Sequence, residues 1–547
     1  MLFNSPLFLF AFLPATLGLF YTLAFHSNFR TALASLVLCS LLFYGFWNPP
    51  YLLLLLLSIG INFQLGNRLQ SCRSASTQAR LILWISVAFN LGLIAYYKYA
   101  NFFVSVVGDV SGQSLSMQQI ILPLGISFFT FQQITWLVDT YRGQSRRFDL
   151  LEYTQFVTFF PQLIAGPIVH HHEMMPQFNR QNMLARIPEN LSVGLTLFLL
   201  GLFKKVILAD SVAVHASPIF EAAESGVILT IHEAWIGALA YSLQLYFDFS
   251  GYSDMAIGLA RLFGITLPMN FDSPYKSSSM IDFWRRWHMT LSRFLRDYVY
   301  IPLGGSRRGS TRRYINIGMT MLLGGLWHGA GWTFIIWGGM HGLYLVINHG
   351  WRALKAKYFN KPTYTADPTP TTSDVHSTGI PQPSLTARLG ATVCRLAAHA
   401  LTLVCVMSAW VVFRAESFSA AVSQLRSMFG FNGIALPAQL QGIVHDHAPQ
   451  AILRAVDFGR LFGNELISPS SAMLWILLSG TIALAAPNSQ QLLSQYRPVL
   501  ETVRSTAGIA ARLQWTPGRS WTVFMSCLSL YTLLHLTGVS EFLYFQF

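Results

Sequence analysis

The feature that most limits what this chain can become is a series of apolar runs, near 6–24, 31–48, 50–65, 81–98, 119–138, 191–208, 229–247, 315–329, 332–349, 391–413, 471–487 and 520–537. A helix of roughly 20 apolar residues crosses the hydrocarbon core of a bilayer, because it satisfies its backbone polar groups within itself. Composition agrees: 53% of the residues are hydrophobic and 11% charged, with mean hydropathy +0.44. Soluble domains carry about a quarter charged residues. The sequence therefore predicts an all-α polytopic membrane protein with about twelve transmembrane helices.

The formal net charge of +13 does not point to nucleic acid, because the lysines and arginines fall in short segments between apolar runs. That is the pattern of cytoplasmic loops facing an anionic leaflet. Arg68, Arg73 and Arg80 mark one such loop, Arg142, Arg146 and Arg147 a second, and the stretch 285–313 a third. Alternation then puts both termini on the periplasmic side. The N-terminal run has no basic segment before it and no small-residue cleavage site after it, and reads as a retained span. Five scattered cysteines show neither disulfide nor zinc spacing. Four regions are expected: N-terminal helices over 1–150, a core over 151–350, a flexible cytoplasmic linker over 351–390, and C-terminal helices with a periplasmic segment over 391–547. The linker is predicted from the Pro-, Thr- and Ser-rich stretch 359–388, which lacks the apolar side chains to offset its ordering entropy.

Several stretches carry polar groups that a lipid-facing segment would not. Pro161, Gly166 and Pro167 break the apolar segment 153–169, which reads as a re-entrant or kinked element, tolerable only where protein satisfies the freed backbone. His170, His171, His172 and Glu173 follow it. Adjacent side chains diverge, so no metal site is expected there. In "YSLQLYFDFSGYSDMAIGLARLFG", Gln244, Asp248, Ser250 and Asp254 lie among aromatics and glycines. Ionisable groups at membrane depth face a protein interior or a cavity, and Gly251 and Gly258 alternatively mark close helix packing.

The stretch 280–309 reads as an amphipathic helix at the cytoplasmic interface. Trp284, Trp287, His288, Leu291, Phe294, Leu295 and Tyr298 fall on one face, and Arg285, Arg286, Arg293 and Arg296 on others. His288, on the apolar side, is out of place on a surface helix. In "LLGGLWHGAGWTFIIWGGMHG", small residues leave room beside Trp327 and His328 for a substrate to approach the imidazole. An imidazole titrating near neutrality is the usual side chain for moving a proton off a hydroxyl. His341, one helix on, reads as a buried histidine bonded to its surroundings, and secondarily as a cavity residue. The terminal "SEFLYFQF" is an interfacial aromatic belt with one phenol, Tyr544.

The segments "QLYFDFSGYSDMAIG", "MNFDSPYKSSSMIDFWRRWHMTLSRFLRDYVYIPLGG", "GGLWHGAGWTFIIWGGMHG" and "AWVVFRAESF" together resemble the membrane-bound O-acyltransferase family, in its bacterial alginate O-acetylation branch. The resemblance implies a multi-helix funnel whose central tunnel joins a cytoplasmic donor to an outer acceptor. It implies catalytic roles for His328, in "LWHG", and His288, in "RWHMTLS". "FLYFQF" is similar to the tyrosine-bearing C-terminal motif of a small partner protein in the related teichoic acid system, which makes Tyr544 a candidate acyl relay. No bound cofactor is implied. Acetyl-CoA or another acyl thioester is the expected donor, with its phosphates at Arg285, Arg286, Arg293 and Arg296. The expected acceptor is an extracellular polysaccharide such as alginate or cellulose, reached through a periplasmic transferase. A lipid or peptidoglycan acceptor, or a non-catalytic transporter or flippase, are the alternatives.

Overall fold

A computed structural model describes the chain except for residues 74–75, 114–117, 359–384, 438–455, 460–467, 504–508, 537–541 and 544–547. The linker segment lies mostly outside the described residues. Among the described residues, twelve long helices follow the twelve apolar runs: α1 (Phe8–His26), α2 (Phe29–Gly45), α3 (Pro49–Ser71), α4 (Thr77–Ser111), α5 (Ile126–Tyr141), α6 (Ile187–Glu224), α7 (Ile231–Leu262), α8 (Gly309–His328), α9 (Trp332–Tyr358), α10 (Leu385–Arg414), α11 (Pro469–Ala485) and α12 (Arg519–Leu534). The run at 119–138 starts its helix late, because Gly125 sits at φ +70° as the N-cap just after Pro123.

The helices sort into an outer set and an inner set. α1, α3, α4, α6 and α10 are long and apolar enough to cross a membrane on their own. Outer helices expose large apolar side chains such as Phe10, Leu53, Trp84, Leu474 and Leu534, a surface suited to lipid tails. α5 and α7 are the reverse. Nearly all of α7 is buried, including Asp248, Ser250, Ser253 and Asp254, and α5 buries Thr130, Gln132, Gln133 and Asp139. Their polar content is tolerable because their neighbours are protein.

Glycines set how closely α6 and α7 pack. A Cβ on Gly201 would lie 2.5 Å from the Gly251 carbonyl oxygen, and one on Gly258 would lie 2.5 Å from that of Gly194. No larger residue fits these two crossings, the small-residue contact used where helices meet without a hydrophobic drive.

The segment at 153–169 is a broken element. A helix over Leu150–Thr158, capped by a reciprocal Asp149–Glu152 pair, stops at Phe159, and a four-residue helix with Pro161 in its first turn follows. Every residue from 155 to 171 is buried, so protein, not lipid, surrounds the irregular backbone.

One expectation needs correction. The stretch 280–309 is not one interfacial helix. Short helices over Met280–Trp284 and Met289–Leu295 are separated by a turn in which His288 has φ +44°. The cause is a neighbouring extended segment: Asp272 N–H donates to Arg286 O (2.9 Å) and Met289 N–H to Asn270 O (3.0 Å), diverting backbone groups from helical bonding. Ile434–Pro437 and Val456–Gly459 pair as a short parallel ladder after a helix over Phe418–Met428.

The apolar interior divides into two clusters. One gathers α1–α5, the first part of α6 and the second part of α7 with Leu291, Phe294 and Trp327, and the other gathers the rest of α6 and α7 with α10, α11, Trp287, Trp337 and Phe413.

Candidate functional site

The two histidines singled out by sequence meet at the seam of these clusters. Their ring centroids lie 6.4 Å apart. His288 is fully buried against Phe249 (4.8 Å) and Trp327 (6.1 Å). The broken helix is what delivers it, since a left-handed backbone at a non-glycine residue turns the side chain away from the helical face.

His288 is also locked in orientation. Its Nδ1 lies 3.1 Å from Asn270 Oδ1, and the Asn270 amide donates to Ser253 Oγ of α7 at 3.2 Å. The Thr290 N–H, which can only donate, also points at Oδ1 (3.4 Å), so that atom is the oxygen, Nδ1 carries the proton and Nε2 presents a lone pair. Thr290 Oγ1 also donates to Asn270 Oδ1 (2.9 Å) and accepts from the Ile168 N–H (3.0 Å), tying the re-entrant element to the same turn. His288 Nε2 is buried with no hydrogen-bond partner among the described residues. Neutral His288 is therefore a proton acceptor at Nε2, unable to donate from that atom to a carbonyl.

His328 ends α8 and keeps a small accessible surface, 8%, inside a cage of Trp327 (4.8 Å), Trp337 (5.0 Å) and Phe413 (5.4 Å). Helix C-termini leave carbonyls unsatisfied, and here α4 supplies the donors. Lys98 Nζ donates to Trp327 O (2.6 Å) and His328 O (3.0 Å), and Tyr99 Oη donates to Leu326 O (2.7 Å). A cation at a helix C-terminus also complements the dipole. Sequence reasoning missed Lys98, Tyr99 and Asn270. The first was findable, as a lysine inside an apolar run.

His341 lies beyond the Trp337 indole, 4.8 Å from it, and accepts from Trp284 Nε1 at its Nδ1 (3.2 Å). It is buried and separated from His328 by a ring. The α7 carboxylates are in ion pairs: Asp248 with Lys205 (2.8 Å), which also holds Asp210 (2.9 Å), and Asp254 with Lys204 (2.6 Å) and Gln490. Ser250 is buried and Gln244 half-buried. Tyr544 lies outside the described residues, but the tail just before it is seated in the core. Leu543 N–H donates to Asp248 Oδ2 (3.1 Å), and the buried Phe542 ring packs on Tyr252 (4.9 Å) with Lys205 over it (5.1 Å).

The four arginines do not form one cluster. Arg286 pairs with Asp282, Arg293 grips Glu173 with both terminal nitrogens, and Arg296 grips Asp297 through Nε and Nη2. Arg285 alone of the four is exposed with no carboxylate partner among the described residues, and it gathers with Arg313 and Arg352 around His349. Arg293 and Arg296 instead border a cavity of about 660 Å³ with His170, His172 and Arg142.

Comparison with known proteins supplies the class of chemistry. The sequence model of the membrane-bound O-acyltransferase family matches residues 114–370. A peptidoglycan O-acetyltransferase of Helicobacter pylori is 41% identical over 80% of this chain and 81% of its own. A probable alginate O-acetylase of Pseudomonas aeruginosa is 34% identical over the full length of both chains. A teichoic acid D-alanyltransferase of Streptococcus thermophilus is 32% identical over 44% of this chain and 59% of its own.

Proposed function

The chain belongs to the membrane-bound O-acyltransferase family and is a multi-pass membrane O-acyltransferase, and from that premise we propose that it carries acetyl from a cytoplasmic thioester, acetyl-CoA, across the bacterial inner membrane for O-acetylation of an extracellular polysaccharide. The observation that carries this reading is the pairing of His288 and His328 in a buried aromatic cage, 6.4 Å between ring centroids. His328 is the general base. It takes the proton of an attacking hydroxyl as that oxygen bonds to the thioester carbonyl carbon, and returns it to the sulfur as the C–S bond breaks. A positioned base contributes about 10²–10⁴-fold, and the fixed geometry of a dry site supplies much of the remainder. His288, presenting a lone pair at Nε2, orients the reacting group by accepting a hydrogen bond.

The donor's phosphates sit at the Arg285 patch, where guanidinium charge is not already neutralised. The attacking hydroxyl is that of Tyr544; the two residues before it, Phe542 and Leu543, are seated in the core. The phenyl ester then passes its acetyl to a periplasmic transferase, with both chain termini on the periplasmic side. Alginate and cellulose are the acceptors in this first reading. The 41% identity to a peptidoglycan O-acetyltransferase favours a second reading, in which peptidoglycan is the final acceptor and the membrane steps are unchanged.

The test is transfer of radiolabelled acetyl from acetyl-CoA to the purified protein, followed by mass spectrometry of the C-terminal peptide. An ester on Tyr544 in the wild type that is missing from His328→Ala is the expected result. Full polysaccharide acetylation by Tyr544→Phe would rule out the relay.

A further inference from the structure

The three consecutive histidines lie where the re-entrant element leaves the core, and nothing in the acyl-transfer chemistry uses them. Neighbouring side chains diverge, but His170 and His172 are two residues apart, and their rings come within 5.3 Å. The last turn of α5 brings Asp139 to the same place. One ligand-capable atom from each of Asp139, His170 and His172 lies within 4.8 Å of the other two.

Tyr298 holds two of them. Its hydroxyl donates to Asp139 Oδ2 (2.8 Å) and meets His170 Nδ1 at 3.2 Å. His170 is 4% exposed, and its Nε2 has no hydrogen-bond partner among the described residues. A buried polar atom left unsatisfied costs about 1–3 kcal/mol, so a ligand that uses it is favoured.

Two kinds of ligand compete for this cavity: an anion on Arg142, Arg293 and Arg296, or a cation on Asp139 and the imidazoles. The existing pairs decide between them. Arg293 is held by Glu173 and Arg296 by Asp297, each through two nitrogens. Arg142 stands 3.5 Å from Asp139 and lies over the Tyr298 ring (5.5 Å), with its side chain 37% exposed. Each guanidinium faces a carboxylate, whereas an imidazole nitrogen remains unclaimed.

We propose that Asp139, His170 and His172 form a site for a divalent transition-metal ion, with Zn²⁺ best suited to two imidazoles and a carboxylate. The fourth position opens on the cavity and takes water. His172 is exposed and closes the small remaining gap to bonding distance. The ion clamps the exit of the re-entrant element to α5. It also steadies Tyr298, the first ring of a stack through Phe294 (5.3 Å), Phe131 (4.1 Å) and Trp327 (5.6 Å) to the neighbour of His328. This site is independent of the acetyl-transfer reading.

The experiment strips the purified full-length protein with a chelator and titrates Zn²⁺ alone, reading stoichiometry by elemental analysis, affinity by calorimetry and melting temperature in detergent. The wild type should bind one equivalent and melt higher with Zn²⁺, since an ion that binds the folded state stabilises it. His170→Ala and Asp139→Asn should each lose the equivalent and the shift, while His26→Ala keeps both. Tyr298→Phe should keep the stoichiometry and bind about 10–100-fold more weakly, as partners of metal ligands do when removed. Elution and zinc-free melting unchanged from wild type show that the variants are folded. A wild type that takes up no zinc, or uptake that survives both ligand substitutions, overturns the site. So does binding of inorganic phosphate in the same cavity that zinc fails to displace.

Discussion

His288 has the most demanding local geometry in the site. Its φ of +44° puts a non-glycine residue in the left-handed region, and that conformation persists because Asn270 holds both the imidazole and, through its carbonyl, the Met289 N–H. Asn270→Ala removes the partner of Nδ1 and frees the tautomer. We expect acetyl transfer to fall about 100-fold, the scale of misplacing a reacting group by an ångström, with the protein still accumulating in membranes. Steady-state rates with acetyl-CoA check this, and an unchanged rate would count against His288 acting through a fixed tautomer. Lys98→Met strips the donor from two carbonyls at the end of α8. Leaving such groups unsatisfied costs about 1–3 kcal/mol, which should appear as a lower melting temperature together with reduced activity. The histidines were legible in the sequence because imidazoles are conspicuous in apolar runs. Asn270 was not, since its partners lie at sequence distances of 17 to 20 residues on separate elements.

At the scale of elements, the twelve apolar runs became twelve helices because length and hydropathy are local properties that any bilayer or protein interior rewards. The break at His288 was not local. Helical periodicity runs through 284–298, and the chain leaves the helix only because the strand-like segment at 270–272 bonds to it from outside. The re-entrant element was readable for the opposite reason, as Pro161 and Pro167 each remove a backbone donor and, with Gly166 between them, disfavour a continuous helix. The packing of α6 on α7 rests on glycine. Gly201→Val places a Cβ 2.5 Å from the Gly251 carbonyl, so the helices must separate, and overpacking of this kind costs about 1–3 kcal/mol or more. Thermal unfolding in detergent should drop accordingly, while Gly60→Ala, on the open side of α3, should be neutral. Equal melting of the two variants would contradict the close crossing.

For the whole molecule, the buried helix faces carry the paired charges and the exposed faces carry the lipid surface. Asp248 and Asp254 are buried with Lys205 and Lys204 as partners, and breaking one member of a buried pair costs about 3–5 kcal/mol because the other charge is left uncompensated. The same Lys205 and Asp248 seat the residues preceding Tyr544, so one network joins membrane-core stability to the position of the proposed relay. Lys205→Met should release the C-terminal segment, seen as increased protease access to the tail, with lower yield of acetylated polysaccharide. The sequence showed the carboxylates without their partners, which lie about fifty residues upstream on α6. The proposed chemistry turns on His328. Measured most directly, ester-linked acetate on the extracellular polysaccharide should be lost in a strain carrying His328→Ala, with the variant present in membranes at the wild-type level. Normal acetylation in that strain would contradict it.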